Sequence, residues 1–216
     1  MIGDKVELLK DKRVAIFGLG GVGGYTLEAL TRCGIGNIDI YDFDKIDISN
    51  INRQLIANQD TIGNNKVNEW IKRCKLINKD IKVCGYNIFI DESNIESIDF
   101  SKYDYVVDAI DTVTSKMLLI KKCKYNNIKI ISSMGTGNKL HPELLEITDI
   151  KKTSVCPLAR VIRKMCKDEQ INKLTVIYSK EEPKKTNTRK PGSTIFVPSC
   201  AGIMIAAWIF RDIIGE

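Results

Sequence analysis

The stretch Arg13-Val-Ala-Ile-Phe17-Gly18-Leu-Gly20-Gly21-Val-Gly23-Gly24 decides the fold. Four apolar residues, Val14 to Phe17, run straight into glycines, which reads as a buried strand ending at a tight turn. A helix is expected over 22–33, with Val22, Leu27 and Leu30 on its apolar face, Ala29 beside them, and Gly34 and Gly36 as its stop. Strand, glycine turn and helix in that order bring backbone N–H groups to a helix N-terminus, where phosphate oxygens bind. Gly18, Gly20, Gly21 and Gly23 are therefore candidate nucleotide-binding positions. The same glycines also read as a turn that only lets the helix pack closely on the strand. NAD and FAD sites share this turn, so it does not choose the nucleotide.

Working outward, strands are expected over 37–41, 82–86, 103–110 and 128–132, with helices over 66–77 and 115–126. Strands alternating with helices imply right-handed crossovers and a parallel sheet covered on both faces. The pattern then changes. Two further strands, 144–148 and 174–178, flank a helix over 158–167, an exposed, mobile loop is expected over 179–192, and an apolar helix over 199–214 closes the chain. The expected fold class is α/β: a Rossmann-like, mainly parallel sheet continued by differently ordered C-terminal strands. The expected organisation is one domain over 1–216, with a nucleotide-binding part at 1–135 and a substrate and dimer part at 136–216.

Composition excludes some classes. The 216 residues are 44% hydrophobic and 28% charged, enough apolar content for a packed core. Lys and Arg number 33 against 27 Asp and Glu, a formal charge of +6, which suits a polyanionic partner and equally many ordinary enzymes. Seven cysteines form no C-x-x-C pair, against both a disulfide framework and a structural zinc site, and point to a reducing cytoplasm. Arg211 and Asp212 interrupt the apolar C-terminal run, so a buried helix is expected there and no obligatory membrane span.

The chemistry is carried by the segment after the second strand. Asp42 ends that strand about 20 residues after the glycines, where an acid hydrogen-bonds a ribose hydroxyl. Then come Asp44, Ser49-Asn50-Ile-Asn52-Arg53-Gln54 and Gly63-Asn-Asn-Lys66. A dehydrogenase needs no such cluster, whereas a triphosphate needs Arg and Lys to neutralise it. Asp111 follows the fourth strand at the sheet edge where open α/β sheets bind ligands, a place for a Mg²⁺ ligand beside phosphates. Singly, Arg53 and Lys66 also read as solvated charges, and Asp111 as the cap of a helix starting near Val113.

Together these motifs, over 12–135, resemble the superfamily of ubiquitin-activating-type adenylating enzymes (the ThiF, MoeB and HesA type), which includes the activators of sulfur-carrier proteins in thiamine and molybdopterin synthesis. Ile147-Thr-Asp-Ile150, Cys156-Pro-Leu-Ala159, Val176-Ile-Tyr-Ser-Lys-Glu181 and Gly192-Ser-Thr-Ile-Phe-Val-Pro-Ser199 resemble its tRNA threonylcarbamoyladenosine dehydratase branch. The sulfur-carrier activators usually carry two C-x-x-C motifs, which this sequence lacks. The resemblance implies ATP and Mg²⁺ as cofactors, a tRNA substrate, a homodimer, and a cysteine-desulfurase or sulfur-acceptor protein as a further partner. It implies Gly20 and Gly21 at the phosphates, Asp42 at the ribose, Asn50, Arg53 and Lys66 on the triphosphate, and Asp111 on Mg²⁺, with Arg53, Lys66 and Asp111 catalytic. Relatives often carry an Arg-containing segment ahead of the equivalent of Ile2-Gly3 that reaches the partner subunit's nucleotide, and this sequence starts at Met1.

Three other functions compete: adenylation of the C-terminal glycine of a ubiquitin-like carrier, a nucleotide-bound scaffold without catalysis, and an NAD-dependent oxidoreductase. The last leaves Arg53, Lys66 and Asp111 unexplained. His141, the single histidine, precedes Pro142 in an expected turn and reads as structural or surface. Cys200, at an expected helix start, has a buried reading and a reactive one, and Cys156 has no stronger claim. Lys184, Lys185, Arg189 and Lys190 read either as a solvated loop or as an arm on tRNA phosphates.

Overall fold

Val14 to Phe17 are fully buried, as expected of a strand with neighbours on both edges and helices on both faces. The computed structural model describes residues 3–185 and 191–216. Strand β1 (Arg13–Phe17) pairs in parallel with β2 (Asn37–Tyr41) on one side and β4 (Tyr105–Asp108) on the other, Ile16 lying level with Ile40 and Val107. With β3 (Lys82–Tyr86), β5 (Lys129–Ser133), β6 (Leu145–Asp149) and β7 (Thr175–Ser179), the sheet runs β3-β2-β1-β4-β5-β7-β6. All pairings are parallel except β6 with β7. The strand order reverses between β1 and β4, which opens a crevice beyond their C-terminal ends. The α/β, mainly parallel sheet with reordered C-terminal strands is thus as expected.

Two apolar layers cover the sheet. Helices α1 (Gly23–Cys33), α2 (Lys66–Ile77) and α5 (Phe196–Ile214) pack on one face around Leu27, Leu30, Trp70 and Ile205. Helices α3 (Val113–Tyr125) and α4 (Pro157–Asp168) pack on the other around Leu119, Ile120 and Ile162. A fully buried aliphatic side chain of this kind contributes roughly 1.5–3 kcal/mol by leaving water. By length and composition α5 could cross a membrane, but here it lies on α1, where the Thr26 hydroxyl donates to Gly202 O at 3.0 Å.

Four expected boundaries move, each for a local reason. The strand expected over 103–110 is shorter because the Asp108 side chain accepts from Ile110 N and turns the chain out of the ladder. At its other end Tyr103 follows a 3-10 turn, Phe100–Lys102, and gives its hydroxyl to Asp39. Helix α3 starts two residues early, at Val113, since the Ser115 hydroxyl donates to Ile90 O and caps nothing. Helix α5 starts at Phe196 and accommodates Pro198 in its first turn, where a missing N–H costs nothing.

The loop expected over 179–192 is held at both ends. Ser179 completes β7, the buried Glu181 accepts from Leu140 N and His141 N, and Gly192 exchanges hydrogen bonds with Asn138. Lys184 and Lys185 are exposed, and Arg189 and Lys190 lie outside the described residues. His141 is exposed and pairs with Glu143 at 2.8 Å.

Candidate active site

Five parallel strands end in loops around one cavity of about 560 Å³, within the usual range for small-molecule sites. Its base is the turn after β1. Gly18 has φ +88° and sits where a Cβ would lie 2.7 Å from Ala109 O, so only glycine fits. Gly20 and Gly21 continue the wall. Gly23 is absent from it: a Cβ there would meet Gly18 O at 1.8 Å, so this glycine serves the close packing of α1 on the turn.

Asp42 leaves the end of β2 almost wholly buried. Its Oδ2 accepts from Leu19 N at 2.6 Å and its Oδ1 from Asp44 N at 2.8 Å. Burial pushes its pKa above the usual carboxylate value, opposed by the Lys66 ammonium and these two amides. Each oxygen keeps a lone pair for a ligand hydroxyl. Lys66 opens α2 and is 4% exposed. Its Nζ lies 2.6 Å from Asp44 Oδ2 and 4.0 Å from Asp42 Oδ1.

The segment after β2 turns through a short 3-10 helix, Ile48–Asn50, closed by a reciprocal cap between Asp47 and Asn50. That turn sets Asn50, Arg53 and Gln54 into the cavity wall. Arg53 Nη1 donates to Ser49 O at 2.7 Å and to Asn52 Oδ1 at 2.8 Å, with its stem against Gly21. Gln54 is buried with its Oε1 unpartnered, a cost the fold would shed if a ligand supplied a donor. Asp111 is exposed in the wall beyond β4, and the residue at the cap of α3 is Thr112. Among the described residues no three His, Cys, Asp or Glu side chains cluster to hold a metal. A single carboxylate suits Mg²⁺, which takes most of its ligands from phosphates and water.

Residues Gly18, Gly20, Gly21, Asp42, Asp44, Asn50, Arg53, Gln54, Lys66 and Asp111 thus converge on one cavity from segments far apart in sequence. Cys156 and Cys200 are not part of its lining. Cys200 lies in the second turn of α5, half-buried against the core.

Sequence reasoning missed two features. Phe43 and Phe89 meet edge to face at 4.9 Å on the cavity wall, both exposed. Behind the wall, Lys116 is fully buried, its Nζ donating to Asp108 Oδ2 at 2.8 Å, Ser132 Oγ at 3.2 Å and Ser133 O at 2.9 Å. A signal existed: Lys116 shares a helical face with Leu119, Ile120 and Cys123, at the spacing of a buried stripe.

The ThiF family profile matches residues 2–216. The tRNA threonylcarbamoyladenosine dehydratase of Bacillus subtilis (strain 168) is 38% identical over 229 aligned positions, covering 98% of this chain and 90% of that protein. That of Escherichia coli (strain K12) is 35% identical, covering 78% and 63%. Crystal structures of the E. coli enzyme TcdA superpose with TM-scores of 0.93 in complex with AMP and 0.91 in complex with ATP. Both are 28% identical to this chain and cover 99% of it and 90% of theirs. A sheet of this order, a cavity at its switch point and a match over nearly the whole length agree: the chain belongs to the ThiF family.

Proposed function

We propose that this protein is an ATP-dependent tRNA threonylcarbamoyladenosine dehydratase. The observation that carries the reading is the convergence of Asp42, Asn50, Arg53, Lys66 and Asp111 on one cavity, in a chain similar over nearly its full length to an enzyme of that name. The threonylcarbamoyl carboxylate attacks the α-phosphorus of ATP. An oxygen–phosphorus bond forms, the α–β bridging bond breaks and pyrophosphate leaves. A nucleophile of the same threonylcarbamoyl group then closes a ring on the acyl carbon and expels AMP, so the nucleoside loses one water.

Arg53 and Lys66 lie where charge builds on the phosphoryl oxygens, and fixed cations lower such a barrier. Asp42 holds the ribose, Gln54 and Asn50 offer amides, and the turn at Gly18 to Gly21 faces the phosphates. Mg²⁺ held by Asp111 would neutralise the departing pyrophosphate. Support for Asp111 in that role is its exposed carboxylate at the strand-end crevice. The half 1–135 supplies this nucleotide machinery, and 136–216 the substrate wall and the dimer contact. For the homodimer, the support beyond family is two apolar side chains on α5, Phe196 at 58% and Ile203 at 50% exposure. Sedimentation that finds only monomer at micromolar protein would remove it. Seven free thiols accord with a reducing cytoplasm.

The test is direct. Mg-ATP, the protein and tRNA bearing threonylcarbamoyladenosine are incubated, and the digested nucleosides are weighed by mass spectrometry. A loss of one water, matched by AMP, is expected; AMP release only with a carrier protein's C-terminal glycine would overturn the reading.

A further inference from the structure

Helix α4 carries a row of cations that the reaction does not use. Arg160, Lys164 and Lys167 sit at spacings of four and three, hence on one helical face, and all three are exposed. None has an ion pair among the described residues, although acids elsewhere on this surface are taken up, as Glu169 is by Lys121. Like charges at these spacings repel, so the row weakens the isolated helix and calls for an external anion.

The row is placed with respect to the cavity. Leu158, in the first turn of α4, lines the cavity wall. From there the helix climbs about 1.5 Å per residue, so the cations extend from the rim to roughly 14 Å away. The adjoining 3-10 turn, Ile150–Lys152, adds exposed Lys151 and Lys152. That turn is fixed to α4 by Arg163, whose Nη1 donates to Thr153 O and Oγ1, both at 2.7 Å. The cations thus stand on rigid elements.

We infer that the exposed face of α4, with Arg160, Lys164 and Lys167 extended by Lys151 and Lys152, is the surface on which the tRNA backbone docks so that its modified nucleoside enters the cavity past Leu158. This rests on the tRNA reading above and goes beyond it by naming the surface. A row of unpaired cations contacts phosphates without reading sequence, and the binding it gives falls steeply with salt.

The triple variant Arg160→Gln, Lys164→Gln, Lys167→Gln tests it against threonylcarbamoyl-bearing tRNA, with binding followed by fluorescence anisotropy between about 50 and 200 mM salt. Affinity should fall about 10- to 100-fold at the low-salt end, and the slope of log affinity against log salt should shrink by about 2. ATP affinity by calorimetry should stay unchanged. The charge-retaining variant Arg160→Lys, Lys164→Arg, Lys167→Arg should bind like the parent. If the parent binds tRNA and the glutamine variant keeps the same slope, the docking surface is wrong and the dehydratase reading stands. A loss shared by the charge-retaining variant would mean packing rather than charge, and also overturns it. If the parent binds no tRNA at all, both readings fall.

Discussion

Two lysine–aspartate pairs sit at the strand-end edge of the same sheet, one facing the cavity and one behind it. Lys66 reaches Asp44 and lies 4.0 Å from Asp42, and Asp44 is 45% exposed. Lys116 reaches Asp108, and neither side chain has any exposure. The three donors of the Lys116 ammonium are all taken, by Asp108, Ser132 and Ser133. Lys66 makes one close hydrogen bond and keeps donors in hand. The same two residue types are therefore available to a ligand in one place and committed to the fold in the other. What differs is solvent access at the acid: Asp44 loses its partner into water, Asp108 into a dry interior.

The largest expected effect comes from that interior. Lys116→Met leaves Asp108 buried and ionised without a cation, which costs about 3–5 kcal/mol. For a chain of this size each kcal/mol moves the midpoint by roughly 2–4 °C, so thermal melts should fall by about 6–20 °C. Adding Asp108→Asn should restore part of the loss, since removing both charges of a buried pair is far milder than removing one. A single variant melting with the parent would refute the assigned difference between the pairs.

Lys66→Ala should behave in the opposite way. Its melting should stay within about 1 kcal/mol of the parent, because Asp44 is open to water and Asp42 keeps its two amide donors. Turnover should fall by roughly 10²–10³, the usual cost of one preorganised contact to developing charge. Steady-state AMP release checks the second half. A variant that melts early and turns over normally would invert the comparison and end the assignment of Lys66 to phosphate.

This contrast also explains what the sequence could reveal. The central strands were legible because Val14 to Phe17 form an unbroken apolar run beside glycines. The cavity-facing cations were legible because Asp42, Arg53 and Lys66 crowd into 25 residues with no apolar stripe to explain them. The opposite rim was not. Ser133 to Gly137, Leu158, Pro191, Ser193 and Pro198 are small or apolar, widely separated, and carry no spacing that marks a site. Only the pairing of β5 with β7 and the Asn52 hydrogen bond to Ser193 O at 2.8 Å bring them together. Lys116 stood on a readable stripe, yet a lysine in a helix is taken for a solvated one unless its neighbours at three and four residues are weighed.

A third carboxylate, Glu28 on α1, is intermediate between the two pairs and yields the smallest effect. It accepts from Arg73 Nε at 2.7 Å and Nη2 at 2.9 Å on α2, and from Arg32 Nε at 2.9 Å. Burial alone would raise its pKa, but the two guanidiniums outweigh that and hold it below the usual glutamate value. A depressed carboxylate stabilises the fold above its unfolded pKa, near about 4.3, and loses that contribution as pH falls through the lower folded value. Arg32 is 58% exposed, so screening limits the effect to at most about 1 kcal/mol. The melting gap between the parent and Glu28→Gln should be a few degrees at neutral pH and close as pH drops below about 4. A gap that stays constant across that range would assign the contribution to packing between α1 and α2 instead of charge. Glu28 would then behave neither like the open pair nor like the buried one.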